Sequence, residues 1–204
     1  MQAIIIGASG LTGSYLLKRL IDDSEVKHIL SFARKNSGES SLKLKEHIVD
    51  FDKPEQWKEL VRGDVLFSCL GTTLKRAGGK QKQYTVDYTY QFEFAKAAAE
   101  NGVPTYILVS STGANPKSSF FYMRMKGELE EAVKKMQFQN LHIMRPNILD
   151  GDRKEKRSKE KIALKIIKFF NKMGLFKKTT PTHADELSKE MIELAKKQCT
   201  ISKK

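Results

Sequence analysis

An α/β fold, with a parallel sheet covered by helices on both faces, is what three features of these 204 residues predict. The chain opens on a short apolar run, Gln2 to Ile6, followed directly by Gly7-Ala8-Ser9-Gly10-Leu11-Thr12-Gly13 and a helical pattern through Tyr15, Leu16 and Leu20. Apolar runs of strand length then alternate with helical stretches almost to the end, the spacing of a parallel sheet with right-handed crossovers. Finally, the breaks between them fall at glycine and proline positions that suit helix starts and stops, Pro54 and Gly102 among them. Together these specify a Rossmann-type doubly wound sheet with a small C-terminal helical cap.

Taken in order, the second strand is expected over Lys27 to Ala33 and a short third over Glu46 to Val49. A helix follows from Pro54 through Trp57 and Leu60, and a fourth strand over Asp64 to Leu70. The next helix spans Tyr84 to Asn101, the fifth strand Pro104 to Ser110, a helix Phe121 to Phe138 and a sixth strand Leu141 to Met144. The last quarter breaks that rhythm. A charged loop over 151–160 precedes Ile162, Ile166, Phe169, Phe170 and Met173, which recur at helical spacing and are expected to pack on protein. A final helix runs from Ala184 to Lys197. One domain, 1–204, accounts for this length, with 151–204 as a helical extension on the substrate side.

Composition narrows the function classes. Hydrophobic residues make up 40% and charged residues 30%, as in a globular protein that buries a core. No apolar stretch approaches the roughly 18 residues that a membrane span needs, and the apolar N-terminal strand has no basic flank of the secretory kind. Cys69 and Cys199 lie too far apart in sequence for a disulfide framework, and His28, His47, His142 and His183 lack ligand spacing, so no metal is expected. A cytoplasmic location is the resulting expectation. The net charge of +13 invites a nucleic-acid reading. However, much of it lies between Asp152 and Lys178, with eleven Lys or Arg against three acids, and no nucleic-acid-binding motif accompanies it. Nucleic acid is therefore not the expected partner, and an anionic small molecule is favoured over it.

A strand, a G-x-x-G-x-x-G turn and a helix form a place to lay a pyrophosphate. Gly7 permits the turn, Gly10 lets backbone approach the ligand, and Gly13 allows the helix to sit close to the sheet, while the helix N-terminus offers free N–H groups. Gly7, Ser9, Gly10, Leu11, Thr12 and Gly13 are the candidate cradle. Farther along, Tyr122 and Lys126 stand four apart on one helix face, downstream of a strand ending in Ser110-Ser111. These side chains suit proton delivery to a carbonyl. A lysine cation favours the phenolate and so makes the phenol a better acid. Tyr122 would then protonate the substrate oxygen while a serine polarises it, and Lys126 would also hold the nicotinamide ribose.

The chain resembles the short-chain dehydrogenase/reductases in their extended or atypical form. The likeness rests on GASGLTG at 7–13, SFARK at 31–35, Asp50, CLGTT at 69–73, SSTGA at 110–114, YMRMK at 122–126 and RPNILDG at 145–151. It is closest to the Tat-interacting-protein-like group and extends to THADELS at 182–188. The resemblance implies NAD(P)H binding, Tyr122 and Lys126 in the roles just given, and a serine that matches Ser110 or Ser111, with Ser111 preferred. Asp50 resembles the adenine-side residue, and Leu70, Gly71 and Thr72 would border the adenosine ribose or pyrophosphate. Two departures stand out: Asp87 occupies the region where many extended members carry a relay asparagine, and the segment after Pro146 is too short for a nucleotide-sugar domain.

The cofactor expectation is NADP(H) over NAD(H). The second strand ends in Arg34-Lys35, where an NAD site usually places an acid for the ribose 2′-hydroxyl. Arg34 can instead grip a 2′-phosphate in bidentate fashion, with Lys35 adding charge. The function that follows is an NADPH-dependent oxidoreductase reducing a small carbonyl compound, with a homodimer as a compatible state. The competing reading is an NADPH-binding redox sensor or scaffold with little or no turnover.

Overall fold

The computed structural model describes residues 1–151 and 181–201. Six strands form one parallel sheet: β1 (Gln2–Ile6), β2 (His28–Ala33), β3 (Leu44–Ile48), β4 (Val65–Ser68), β5 (Thr105–Val109) and β6 (Asn140–Met144). Their order across the sheet is β3-β2-β1-β4-β5-β6. The chain therefore reverses its winding between β1 and β4, and the carboxyl ends of those strands open the crevice where doubly wound sheets bind ligands.

Alternation along the strands divides the core in two. Ala3, Ile5, Val65, Phe67, Ile107 and Val109 turn to one face, where they meet Leu16, Leu17 and Leu20 of α1 (Leu11–Asp22). Ile4, Ile6, Leu66, Tyr106 and Leu108 turn to the other, with Phe94, Ala95 and Ala98 of α4 (Tyr90–Glu100) and Leu129 and Val133 of α5 (Phe121–Lys134). Trp57 is fully buried on this second face, stacked 3.8 Å from Phe94, with its indole N–H donated to the Asp50 carbonyl at 3.0 Å.

The last helix, α6 (Ala184–Ile201), lies along α1 and completes the first face with Leu187, Met191, Ile192 and Ala195. Arg19 grips Asp185 with two hydrogen bonds of 2.6 and 2.7 Å, and Lys196 reaches Asp23 at 2.6 Å. A two-stranded parallel sheet, β7 (Leu149–Asp150) with β8 (Thr182–His183), leads into this helix. Its strands are two residues long, too short for a periodic signal. The Ile162–Met173 stretch and the basic run of 152–178 fall on residues 152–180, outside the described residues.

Three local expectations change. The segment opened by Pro54 is two 3₁₀ turns, Pro54–Gln56 and Lys58–Leu60. A 3₁₀ turn rises about 2.0 Å per residue against 1.5 Å in an α-helix, so few residues bring the chain back from β3 to the start of β4. The helix expected from Tyr84 begins earlier. Leu74–Ala77 (α2) and Lys80–Tyr84 (α3) precede a π turn, Thr85–Thr89, that runs straight into α4. Gly78 and Gly79 and the polar run after them hid those turns from a periodicity reading. Finally, α5 stops at Lys134 rather than Phe138, because the Phe138 ring leaves the helix to stack 5.1 Å from Tyr106.

Candidate active site

The glycine turn has the shape that its residues specify. Gly7 lies at φ +83°, and a Cβ there would sit 2.5 Å from the Cys69 carbonyl carbon, so only glycine lets β1 pass the end of β4. A Cβ on Gly13 would fall 2.1 Å from the Gly7 oxygen. Gly10 donates its N–H back to Gly7 at 2.9 Å and caps α1 without any side-chain hydrogen bond. The first turn of α1 carries no acid, so its unbonded N–H groups and the positive end of its dipole suit an anion. Ser9 and Gly10 are exposed and Leu11 is half-buried, whereas Thr12 is buried beneath them. Thr12 thus offers a ligand its backbone rather than its hydroxyl. This cradle fits a dinucleotide pyrophosphate.

On one side of the turn, Arg34 and Lys35 stand exposed beyond β2. Arg34, Phe51, Leu70, Val86 and Tyr90 line a small crevice. Phe51 and Tyr90 pack at 5.2 Å, and the Tyr90 hydroxyl donates to Asp52 at 2.9 Å. Burial and the Asp52 acceptor push the Tyr90 phenol up to about 12, so it stays a neutral donor. Asp50 is nearby but is held in its own turn, accepting the Asp52 N–H at 3.0 Å and lying 3.7 Å from Lys53. Phe51 and Tyr90 were not singled out from the sequence. An aromatic directly after the strand-end Asp50 was the available signal for the first.

On the other side, α5 brings Tyr122 and Lys126 under the ends of β4 and β5. The loop after β5 is clamped to this helix at Gly127, where a Cβ would lie 2.3 Å from the Asn115 carbonyl carbon. The Asn115 N–H also donates to the Met123 carbonyl at 3.0 Å. The Ser111 hydroxyl donates to the neighbouring Thr112 carbonyl at 3.3 Å and lies close enough to the Tyr122 phenol to favour its phenolate form. Ser110 faces away, donating to Glu130 at 2.5 Å. Glu130 is buried and also takes a forked contact from Arg145, with Nε 3.0 Å from one carboxylate oxygen. The two candidate serines are therefore separated: Ser111 belongs to the tyrosine and Ser110 to a buried charge network missed at the sequence level, although Arg145 stands in the RPNILDG segment.

Lys126 is 2% exposed and donates to the Val109 carbonyl at 3.0 Å. Burial pulls its pKa down, while Asp87, Glu130 and Cys69 push the other way. Tyr122 is corrected in one respect. An acidified phenol was expected, but burial and then the Asp87 carboxylate hold its pKa well above the usual phenol value, against the Ser111 hydrogen bond. Tyr122 is thus fully protonated at neutral pH. Burial pushes the Cys69 thiol up to about 12, so it is an inert packing group. Among the described residues, no cluster of His, Cys, Asp and Glu is arranged for a metal, and no helix is long and apolar enough to cross a membrane.

Residues 7–165 match a family model described as NAD(P)H-binding. Among curated proteins, the chain is 34% identical to "Protein FMP52, mitochondrial" of Candida albicans, over 97% of this chain and 89% of that protein. It is 36% identical to "Protein fmp52, mitochondrial" of Aspergillus niger, over 78% of this chain and 70% of the relative. A putative NAD-dependent epimerase/dehydratase from Bacillus halodurans superposes with a TM-score of 0.71 at 19% identity, over 98% of this chain and 90% of its own. The oxidoreductase ylbE from Lactococcus lactis does so with a TM-score of 0.68 at 20% identity, over 95% and 84%. These two structures share the Rossmann-type fold. The mitochondrial names of the curated relatives overturn the cytoplasmic expectation. Lack of a secretory pattern and of a membrane span distinguishes neither compartment, which is why composition misled.

Proposed function

Because this chain belongs to the NAD(P)H-binding family, together with the fungal FMP52 proteins, we propose that it is a mitochondrial NADPH-dependent oxidoreductase that reduces a small carbonyl compound. The observation that carries this reading is the convergence of Tyr122, Lys126 and Ser111 beside the glycine turn, since binding a dinucleotide needs no phenol. The motifs CLGTT, SSTGA and YMRMK further favour the Tat-interacting-protein-like group within the extended short-chain dehydrogenase/reductases. One domain is proposed for the whole chain, with 151–204 as an extension that α6 roots on α1.

Gly7, Ser9, Gly10, Leu11, Thr12 and Gly13 hold the pyrophosphate, and Leu70, Gly71, Thr72 and Asp50 border the adenosine half. Arg34 and Lys35 bind the 2′-phosphate. When bound, the nicotinamide supplies hydride to the substrate carbonyl carbon. Lys126 would hold the nicotinamide ribose and Ser111 would polarise the carbonyl, and the Tyr122 O–H bond would break as its proton passes to the carbonyl oxygen, leaving an alcohol. Lys126 balances the charge of the developing phenolate.

The first test is NADPH consumption against a panel of aldehydes, ketones and quinones. Absence of turnover with every one, in samples that bind NADPH tightly, would favour the sensor reading. For the cofactor, Arg34→Ala should weaken NADPH roughly tenfold or more while NADH changes little, because a charge-assisted fork is lost only with the phosphate. Equal losses by fluorescence titration would remove Arg34 from that role. For the serines, Ser111→Ala should lower kcat by roughly 10²–10³-fold with stability intact. Ser110→Ala should instead cost about 1.5–3 kcal/mol of stability through the lost bond to charged Glu130, with kcat largely retained. Steady-state kinetics and thermal melts on both variants separate the two roles.

A further inference from the structure

Between the β4–α2 loop and α5 lies a buried carboxylate to which the mechanism above gives no task. Asp87 sits in the π turn Thr85–Thr89 and is 1% exposed. One carboxylate oxygen accepts the Thr72 N–H at 2.9 Å, and the other faces Gly71, where a Cβ would be 3.5 Å away. In the cofactor placement proposed above, that loop borders the dinucleotide. From α5, Lys126 and Tyr122 both feel this charge. From α4, Gln91 donates its amide to the Asp87 backbone carbonyl at 2.6 Å and leaves the carboxylate alone. Behind Lys126 stand Cys69, a neutral thiol, and Glu130, whose charge Arg145 and Ser110 already take up. Asp87 is therefore the carboxylate with the larger pull on the buried Lys126 ammonium, ahead of Glu130.

We propose that Asp87 is a positioning residue: its carboxylate, held against the Thr72 backbone, sets the charge felt by the Tyr122–Lys126 pair and so ties cofactor binding and proton delivery to pH. Burial raises its carboxyl to about 6, against the opposing pull of Lys126 and the Thr72 N–H. Above that value the ionised group disfavours the Tyr122 phenolate and repels an anionic dinucleotide. Below it both penalties go, Tyr122 becomes a stronger acid, and the dinucleotide binds more tightly. The proton-delivery half rests on the oxidoreductase reading, whereas the binding half needs only an NAD(P)H-binding protein.

The test compares the full-length protein with Asp87→Asn, which keeps an oxygen for the Thr72 N–H and removes the charge. NADH and NADPH affinities are read by nucleotide fluorescence from pH 5 to 8. NADH is the primary probe because the 2′-phosphate of NADPH itself titrates near about 6. The wild type should tighten on NADH by roughly three- to tenfold as pH falls through that range, and Asp87→Asn should be flat and tight throughout. A flat wild-type profile, or the same profile in both proteins, overturns the proposal. Where a substrate is turned over, kcat of the wild type should rise on acidification with the same midpoint, and that rise should vanish in the variant. If nothing is turned over, the oxidoreductase reading fails while the NADH profile still decides the role of Asp87.

Melting temperature supplies the control for a structural role. A carboxyl whose folded pKa is raised contributes most stability below its unfolded pKa and loses it as pH rises through about 6. Asp87→Asn should therefore melt higher than wild type at pH 7.5, with the gap closing towards pH 4. A variant that melts lower at every pH, or does not fold, makes Asp87 a structural acceptor and overturns the proposal.

Discussion

Tyr122→Phe should reduce turnover by roughly 10²–10⁴-fold, the usual share of a positioned general acid, and leave NADPH affinity nearly unchanged. The substitution keeps the ring in its place under β5 and deletes one hydroxyl together with its contact to Ser111. Nothing else in the site depends on that oxygen. Lys126 keeps its bond to the Val109 carbonyl, and the glycine turn lies on a different element. Because burial and Asp87 keep the phenol protonated, the wild-type reductase should show no alkaline loss from Tyr122 itself near neutral pH. The measurement is kcat and KM for the reduced carbonyl beside the NADPH dissociation constant of both proteins. Wild-type turnover in the variant would mean that another group delivers the proton. Loss of nucleotide binding in parallel would mean that the phenol is a packing element.

Gly7→Ala should abolish dinucleotide binding and lower stability by on the order of 2–4 kcal/mol, which is roughly 5–15 °C in Tm for a domain of this size. Two penalties add there. The residue sits at φ +83°, and its new methyl would lie 2.5 Å from the backbone of Cys69, which cannot yield because β4 is paired on both sides. Gly38→Ala is the matched control. Gly38 lies at φ +80° with nothing within 4 Å of its Cβ position, so it carries the dihedral penalty alone. Thermal melts should show Gly38→Ala lowered by about 1 kcal/mol, with nucleotide binding intact. Equal losses in the two variants would show that the close passage of β1 by β4 is not what makes Gly7 necessary.

Most of the fold could be read from the residues in order. The six strands were placed within about two residues of their observed ends; the central ones, β1, β4 and β5, are apolar runs because both faces of the sheet are buried there, whereas the edge strand β3 is LKEHI and half-exposed. The segment after Pro54 was read as α-helix since its apolar spacing suits either helix type. The structure resolves it as two 3₁₀ turns meeting at Trp57. The start of the helical run at Leu74 was invisible, since its few apolar side chains are exposed and half-buried rather than arranged in a stripe. The cradle Gly7–Gly13 and the pair Tyr122–Lys126 were legible for a shared reason: their geometry comes from a turn or from one helical step.

The choice between Ser110 and Ser111 was not legible. Consecutive residues at a strand end point to opposite sides, and nothing in Ser-Ser tells which side holds the tyrosine. In the structure the loop closes on α5 at Gly127 and Ser110 bonds to Glu130, which Arg145 also grips. The acidity of Tyr122 went the same way. Lysine at a four-residue step argued for a lowered phenol pKa, yet burial, and then Asp87, thirty-five positions upstream, hold it above the ordinary value. By itself the sequence determined the sheet, the glycine cradle and the residue types available for chemistry, since those depend on neighbours within a turn or two. Only the tertiary structure decided which buried charges face one another, because in a low-dielectric interior that balance is set by packing across elements distant in the chain.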